Sequence, residues 1–187
     1  GRARADELVE GLRQRAGRHL FVEDERPVEA LVLDACREQG LTLATAESCT
    51  GGLVAGRLSS VAGASDVFVG GVVAYANEVK ARELGVPAEV LELHGAVSAE
   101  TAAAMANGTR KRLRADVAVA VTGVAGPGGG TPEKPVGLVF LHAEGPHGST
   151  SRRLDLPGDR EAIRARATVA ALHLLRTLLA RSRDDSV

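Results

Sequence analysis

Hydrophobic and polar residues follow two periods along this chain. Runs of strand length, rich in small and β-branched side chains, cover residues 41–47, 66–77, 116–123, 136–145 and 150–157. Amphipathic runs of helical length separate them and cover residues 24–40, 51–61, 78–94, 98–115 and 159–182. Because strands alternate with helices, and two strands are apolar on both faces, the pattern predicts an α/β layered fold with a mostly parallel sheet.

Start and stop signals support the helix boundaries. Pro27 lies near the start of the first of these helices and Gly40 lies at its end. Pro87 divides the run at 78–94 into two short helices, and Ser98 is a typical cap for the helix that follows. These signals predict separate helices rather than one long amphipathic segment.

The composition limits the partners of the chain. Its 187 residues are 44% hydrophobic and 25% charged, which is typical of a folded domain with a core of its own. A net charge of −1 and only 2% aromatic residues argue against direct nucleic-acid binding and against a membrane surface. The two cysteines, Cys36 and Cys49, have no metal-ligand spacing. No apolar run approaches ~18 residues and no signal peptide is visible, so we expect a cytoplasmic location.

Two predicted strands end in glycine-rich loops. The strand at 41–47 ends in "AESCTGG", and the strand at 116–123 ends in "VTGVAGPGGG". Since ligands of α/β sheets bind beyond the carboxyl ends of strands, both loops are expected at one edge. Ser48 or Thr50 could cap the next helix. Ser48 could instead be an exposed nucleophile beside backbone N–H groups, and the residues alone leave both readings open.

A serine nucleophile needs a base. No histidine falls in a loop at the predicted site, so a Ser-His-Asp arrangement has no support in the pattern. Of the three lysines, Lys111 lies at a basic helix end and Lys134 in the loop rich in Gly and Pro. Lys80 shares a segment with the single tyrosine, Tyr75. It is either a solvated lysine at a helix start or a base whose pKa is lowered by burial.

The second loop, residues 123–137, is too rich in Gly and Pro to form regular structure. It lacks the known phosphate-loop patterns, so it is either a surface connection or a binding loop. Arg160, at the start of the last helix, could hold a phosphate with the N–H groups of that helix, or form a plain salt bridge.

Three long motifs appear in order: "AESCTGGLVAGRLSSVAGASDVFVGGVVAYANEVKARELGV", "GAVSAETAAAMA" and "VAVTGVAGPGGGTPEKPVGLV". Over about residues 28–180 the chain closely resembles the CinA C-terminal family, the nicotinamide-nucleotide amidohydrolases or nicotinamide mononucleotide deamidases. The resemblance implies a three-layer α/β/α sandwich. It also implies hydrolysis of the carboxamide of nicotinamide mononucleotide to nicotinate mononucleotide and ammonia, without a metal or other cofactor.

The resemblance also assigns roles to residues. Ser48 would be the nucleophile, Lys80 the general base and Tyr75 the third catalytic member. We further expect the backbone N–H groups of residues 50–52 to stabilise the oxyanion. Substrate contacts are expected at Glu47, Thr50, Gly51, Gly52, Thr122, Gly123, Gly126 and Arg160.

The same resemblance suggests how the chain is divided. Residues 1–26 look like the tail of a missing upstream domain in a two-domain CinA protein, a domain that would resemble molybdopterin-binding domains. Residues 27–182 form the amidohydrolase domain, residues 183–187 are expected to be a disordered tail, and a homodimer is expected. The alternative function is a non-catalytic nucleotide-binding or regulatory module of a competence- or DNA-damage-related protein.

Overall fold

A five-stranded sheet organises residues 26–184, the part of the chain that the computed structural model describes. The strands are β1 (Leu43–Glu47), β2 (Phe68–Val73), β3 (Val117–Gly123), β4 (Leu138–Gly145) and β5 (Gly148–Asp155). The helices are α1 (Val28–Gln39), α2 (Leu53–Ser59), α3 (Asn77–Leu84), α4 (Ala88–His94), α5 (Ala99–Leu113) and α6 (Arg160–Asp184). A 3-10 turn at Ala64–Asp66 connects α2 to β2.

The sheet has a parallel core and an antiparallel extension. Its strand order is β2-β1-β3-β4-β5, with β1 parallel to both β2 and β3. β4 pairs antiparallel with β3, and β5 pairs antiparallel with β4. Helices connect the parallel strands, whereas no helix lies between β3 and β4, and a parallel pair needs such a crossover. The predicted α/β fold around a parallel core is confirmed.

Helices cover both faces of the sheet and create two separate cores. Leu43 of β1 and Val119 of β3 pack with residues of α1, α2 and α6 on one face, which we call the α6 face. Ala46 of β1 and Ala120 of β3 pack with residues of α3 and α5 on the other, the α5 face. Side chains of a strand alternate between faces, which explains why neighbours along β1 belong to different cores. The three-layer arrangement is therefore confirmed.

Two local signals are confirmed, whereas the suggestion that Ser48 or Thr50 caps the next helix is wrong, because the N-cap of α2 is Gly52 and the first-turn N–H groups donate to Glu47. Ser98 caps α5 by accepting the N–H of Thr101 at 3.1 Å, and Pro87 separates α3 from α4 as predicted. The predicted tail at residues 1–26 lies outside the described residues except for its last position. α6 ends at Asp184, just past the expected domain end at 182. None of the helices in residues 26–184 combines the length and the apolar character needed to cross a membrane.

Candidate active site

The carboxyl ends of β1, β2 and β3 lie at one edge of the sheet. β1 connects to β2 on one side and pairs with β3 on the other, so the direction of the connections reverses between β1 and β3. Open α/β sheets bind ligands at such a switch point. Ser48 directly follows β1, and its N–H donates to the carbonyl oxygen of Val121 at 2.9 Å. The "ESCTGG" segment therefore lies where the topology provides a site.

Glu47 secures the start of α2. Its side chain is 1% exposed, and its carboxylate accepts the backbone N–H groups of Gly52, Val54 and Ala55 at 2.9, 3.1 and 2.8 Å. These N–H groups belong to the first turn of a helix, which has no partners of its own for them. The described contacts thus make Glu47 a helix anchor, and its expected contact with substrate stays a prediction.

The expectation that the N–H groups of residues 50–52 bind an oxyanion is wrong for two of the three. The N–H of Gly51 donates to the carbonyl oxygen of Ser48 at 3.1 Å, and the N–H of Gly52 donates to Glu47. Both glycines have positive φ, 60° and 97°, which produces the sharp turn from β1 into α2. The turn uses these N–H groups for its own hydrogen bonds.

Ser48 and Lys80 belong to the same face of the sheet. Ser48 continues the alternation of Ala44 and Ala46, of which Ala46 packs into the core of the α5 face. Lys80 lies one helical turn before Leu84 of α3, which belongs to the same core. Both side chains are buried, Ser48 to 8% exposure and Lys80 to 1%. Strand alternation and the packing of α3 thus assign both residues to the α5 side of the sheet, and their pairing as nucleophile and base stays a prediction.

The ammonium group of Lys80 is buried, and few contacts in the described part of the chain offset its loss of hydration. Its Nζ donates to the carbonyl oxygen of Tyr75 at 2.9 Å. Within residues 26–184 no carboxylate lies at salt-bridge distance from it. Burial lowers the pKa of Lys80 below its usual 10.5, while Cys49 and Glu78 oppose that shift. Of the two possibilities left open by the sequence, the solvated lysine is wrong.

Cys49, the residue after Ser48, carries a buried free thiol. Burial raises the pKa of this thiol to about 11, although the N–H groups of Cys49 and Thr50 partly offset the effect. A thiol with so high a pKa carries almost no thiolate at neutral pH. Ser48 is therefore the stronger candidate for the nucleophile in this segment.

Tyr75 contacts the site through two different groups. Its backbone carbonyl accepts from Lys80, whereas its hydroxyl accepts from Nη2 of Arg160 at 3.0 Å. The side chain is 57% exposed. Arg160 also donates from Nη1 to the carbonyl oxygen of Gly126 at 2.7 Å, which ties the loop after β3 to the start of α6. The predicted catalytic role of the phenol stays a prediction.

The remaining predicted residues surround the end of β3. Thr122 is fully buried, and its hydroxyl donates to the carbonyl oxygen of Ala96 at 2.6 Å. A Cβ on Gly123 would lie 2.7 Å from Cγ2 of Val139, so the neighbouring strand leaves no room for a side chain there. The structure thus gives Thr122 and Gly123 packing roles at the edge where substrate contacts are predicted.

Arg164 was not singled out by the sequence analysis. This half-buried residue of α6 donates from Nε to the carbonyl oxygen of Cys49 at 3.0 Å and from Nη2 to that of Thr50 at 2.9 Å. The one local signal is its spacing, four residues after Arg160 on the same helix. The hydroxyl of Thr50 is buried without a hydrogen-bond partner in the described part of the chain.

Other polar contacts involve none of the predicted site residues. Nδ1 of His142 is 2.7 Å from the hydroxyl of Ser151 on β5, and Lys134 donates to the carbonyl oxygen of His94. Among residues 26–184, no group of three or more His, Cys, Asp or Glu side chains is arranged to hold a metal ion. A groove of about 850 Å³ is lined by residues of α3, α5 and β4 but by neither Ser48 nor Lys80.

Comparison with known proteins decides the family. The family model of the CinA C-terminal domain matches residues 25–179. The chain belongs to the CinA C-terminal domain family. This identification confirms the resemblance read from the three motifs. The matched range includes every residue predicted for the site, from Glu47 to Arg160.

Relatives and a solved structure agree with this assignment. The chain is 49% identical to a CinA-like protein of Gemmatimonas aurantiaca over 174 residues, covering 93% of the chain and 41% of the relative. It is 53% identical to a CinA-like protein of Mycobacterium avium, covering 92% of the chain and 41% of the relative. The crystal structure of the competence/damage inducible protein CihA from Agrobacterium tumefaciens matches with a TM-score of 0.79 and 44% identity. That match covers 81% of this chain and 93% of the CihA chain. The chain thus spans about two-fifths of the length of these two CinA-like relatives.

Proposed function

We propose that this CinA domain hydrolyses the carboxamide of nicotinamide mononucleotide to nicotinate mononucleotide and ammonia. Ser48 is the nucleophile and Lys80 is the general base. The observation that carries the proposal is the buried amine of Lys80, which has no carboxylate partner among residues 26–184, on the side of the sheet to which strand alternation assigns Ser48, at the switch point of the sheet. A lysine becomes a useful base near neutral pH when burial lowers its pKa.

The reaction proceeds in two balanced stages. Neutral Lys80 takes the proton of the Ser48 hydroxyl as Oγ attacks the carboxamide carbon. The ammonium of Lys80 then gives that proton to the departing nitrogen, so ammonia leaves and an ester to Ser48 remains. In the second stage Lys80 takes a proton from water, which attacks the ester carbon. The proton returns to Oγ of Ser48, and nicotinate mononucleotide is released.

Surrounding residues support this chemistry by holding the reactive groups. The carbonyl of Tyr75 accepts from Nζ of Lys80, which limits the positions that the amine can adopt. Arg160 uses one N–H on Gly126 and one on Tyr75, and a guanidinium has further N–H groups for an anionic phosphate. We assign Arg160 to the phosphate of the substrate on this chemical ground.

Ammonia release from nicotinamide mononucleotide tests the proposal directly. We expect release by the unchanged chain and losses of at least about 1,000-fold in Ser48→Ala and in Lys80→Ala, since each removes a group needed in both stages. Ser60→Ala and Lys111→Ala are matched controls, because both residues are exposed and lie outside the site. Release that survives in Ser48→Ala would refute the acyl-enzyme. Stabilisation by the nucleotide without release from any version would favour the non-catalytic binding module.

A further inference from the structure

The turn that carries Ser48 leaves two buried carbonyl groups to be satisfied. Cys49 and Thr50 are 5% and 0% exposed, and their carbonyl oxygens lie between the end of β1 and the start of α2. Buried backbone carbonyls need hydrogen-bond partners. The guanidinium of Arg164, more than 110 positions away in the chain, donates to both oxygens, and the oxygen of Thr50 also accepts the N–H of Leu53 at a longer 3.4 Å.

The guanidinium suits this position because its N–H groups are held in a rigid planar fork. Nε and Nη2 bind neighbouring carbonyls of one turn, which restrains both peptide planes at once. Gly51 leaves room for the group: a Cβ there would lie 3.3 Å from Nη2 of Arg164. The turn and the arginine are therefore fitted to each other.

The helix that presents Arg164 is rigidly seated. Ile163, Ala167 and Ala171 of α6 are at most 1% exposed and belong to the core of the α6 face. One turn earlier on the same helix, Arg160 binds the carbonyl of Gly126 and the hydroxyl of Tyr75. Two successive turns of α6 thus contact the segments that follow β1, β2 and β3.

From these contacts we propose that Arg164 is a positioning residue for the Ser48 nucleophile. It acts through the carbonyl groups of Cys49 and Thr50, which fix the turn that begins at Ser48. The kinetic part of this inference rests on the proposed amidohydrolase function, because it assumes that Ser48 attacks the substrate. The structural part, a restraint on the turn, does not depend on that function.

Alkylation of the cysteines measures the restraint without any substrate. Cys49 lies in the turn, whereas Cys36 is fully buried in α1 and reports opening of the whole domain. Iodoacetamide labelling at about pH 8.5, with each peptide quantified by mass spectrometry, gives the ratio of Cys49 to Cys36 modification. We expect Arg164→Gln to raise this ratio at least about tenfold, with a smaller rise in Arg164→Lys.

Arg166→Gln is the matched control. Arg166 is an exposed arginine on the same helix, and it donates to the carbonyl oxygen of Pro157 before α6 rather than to the turn. Its removal is expected to leave the labelling ratio unchanged. If Arg164→Gln opens the whole domain, labelling of Cys36 rises as well. The ratio of Cys49 to Cys36 labelling in Arg164→Lys is then the measurement that supports or refutes the restraint.

Kinetics test the consequence for the reaction. We expect kcat of Arg164→Gln to fall about 10- to 100-fold, with KM within about threefold, since small displacements of a reacting group cost that much. Arg164→Lys should recover part of kcat. An unchanged labelling ratio, or a raised ratio with kcat equal to that of Arg166→Gln, overturns the inference. If the unchanged chain releases no ammonia, the proposed function fails, and the labelling ratio alone supports or refutes the restraint.

Discussion

Lys80 donates a hydrogen bond of 2.9 Å to the backbone carbonyl of Tyr75 while the lysine side chain is only 1% exposed. The bond places an amine in the core of the α5 face, directly beyond the carboxyl end of β2. The tyrosine that provides the carbonyl turns its hydroxyl to Arg160. One residue thus connects the candidate base to the helix that secures the loops of the site.

The pH dependence of turnover should report the protonation state of Lys80. Burial lowers the pKa of Lys80 below 10.5, and only the neutral amine can act as a base. We therefore expect kcat/KM for ammonia release to rise with pH along a limb whose apparent pKa lies below 10.5. Initial rates over a range of pH, with enzyme stability checked at each value, measure it. A limb at or above 10.5 would contradict the assignment.

The stability of the fold should depend on the same group. Because the pKa of Lys80 is lower in the folded state, the unfolded chain binds more protons between the folded pKa and 10.5. The free energy of unfolding therefore rises with pH across that window and levels off above it. Lys80→Met should remove this slope and raise the free energy of unfolding at neutral pH by about 1 kcal/mol.

Urea unfolding at several pH values tests this prediction, with Lys111→Met as the control. Lys111 is exposed, so its replacement should change the free energy of unfolding by less than about 0.5 kcal/mol. A Lys80→Met protein that is less stable than the unchanged chain at neutral pH would speak against a destabilising buried ammonium.

Glu47→Gln should destabilise the domain. The carboxylate accepts three N–H groups in the first turn of α2, and an amide offers a single acceptor oxygen without charge. We expect a loss of about 2 kcal/mol in the free energy of unfolding, measured by urea denaturation. Glu89→Gln is the control, since Glu89 is an exposed first-turn glutamate of α4. Equal losses in the two variants would show that the three hydrogen bonds contribute little.

Substitutions at Gly71 and Thr45 should have non-additive effects on the free energy of unfolding. A Cβ on Gly71 would lie 2.3 Å from Oγ1 of Thr45 and 3.4 Å from Cβ of Ala55, where α2 packs over β2. Gly71→Ala is therefore expected to cost about 2 kcal/mol in the free energy of unfolding, and clearly less in a Thr45→Ala background. Gly56→Ala, in the open interior of α2, should instead stabilise slightly. Additive effects of the Gly71 and Thr45 changes would argue against the steric contact.

Local patterns in the sequence were enough to predict the helices, the strands and the edge of the sheet at which the candidate site lies. The alternation of apolar runs, together with signals such as Pro87 and Ser98, depends on residues a few positions apart. Such local patterns set strands, helices and caps directly. Because parallel strands end at one edge, the loops that follow β1 and β3 could be placed together before any coordinates. The motifs then supplied the family and the prediction that Ser48 and Lys80 act together.

The surroundings of these residues, in contrast, depend on how the helices and strands pack in three dimensions. In the sequence Lys80 resembles a solvated lysine at a helix start, and only the packing of α3 on the sheet buries it. The N–H groups of Gly51 and Gly52 likewise resemble free donors, but in the fold they donate to the carbonyl oxygen of Ser48 and to the carboxylate of Glu47. Arg164 reaches Cys49 across 115 positions of the chain. Burial, pKa shifts and such distant hydrogen bonds arise from packing between elements, which no local period of the sequence records.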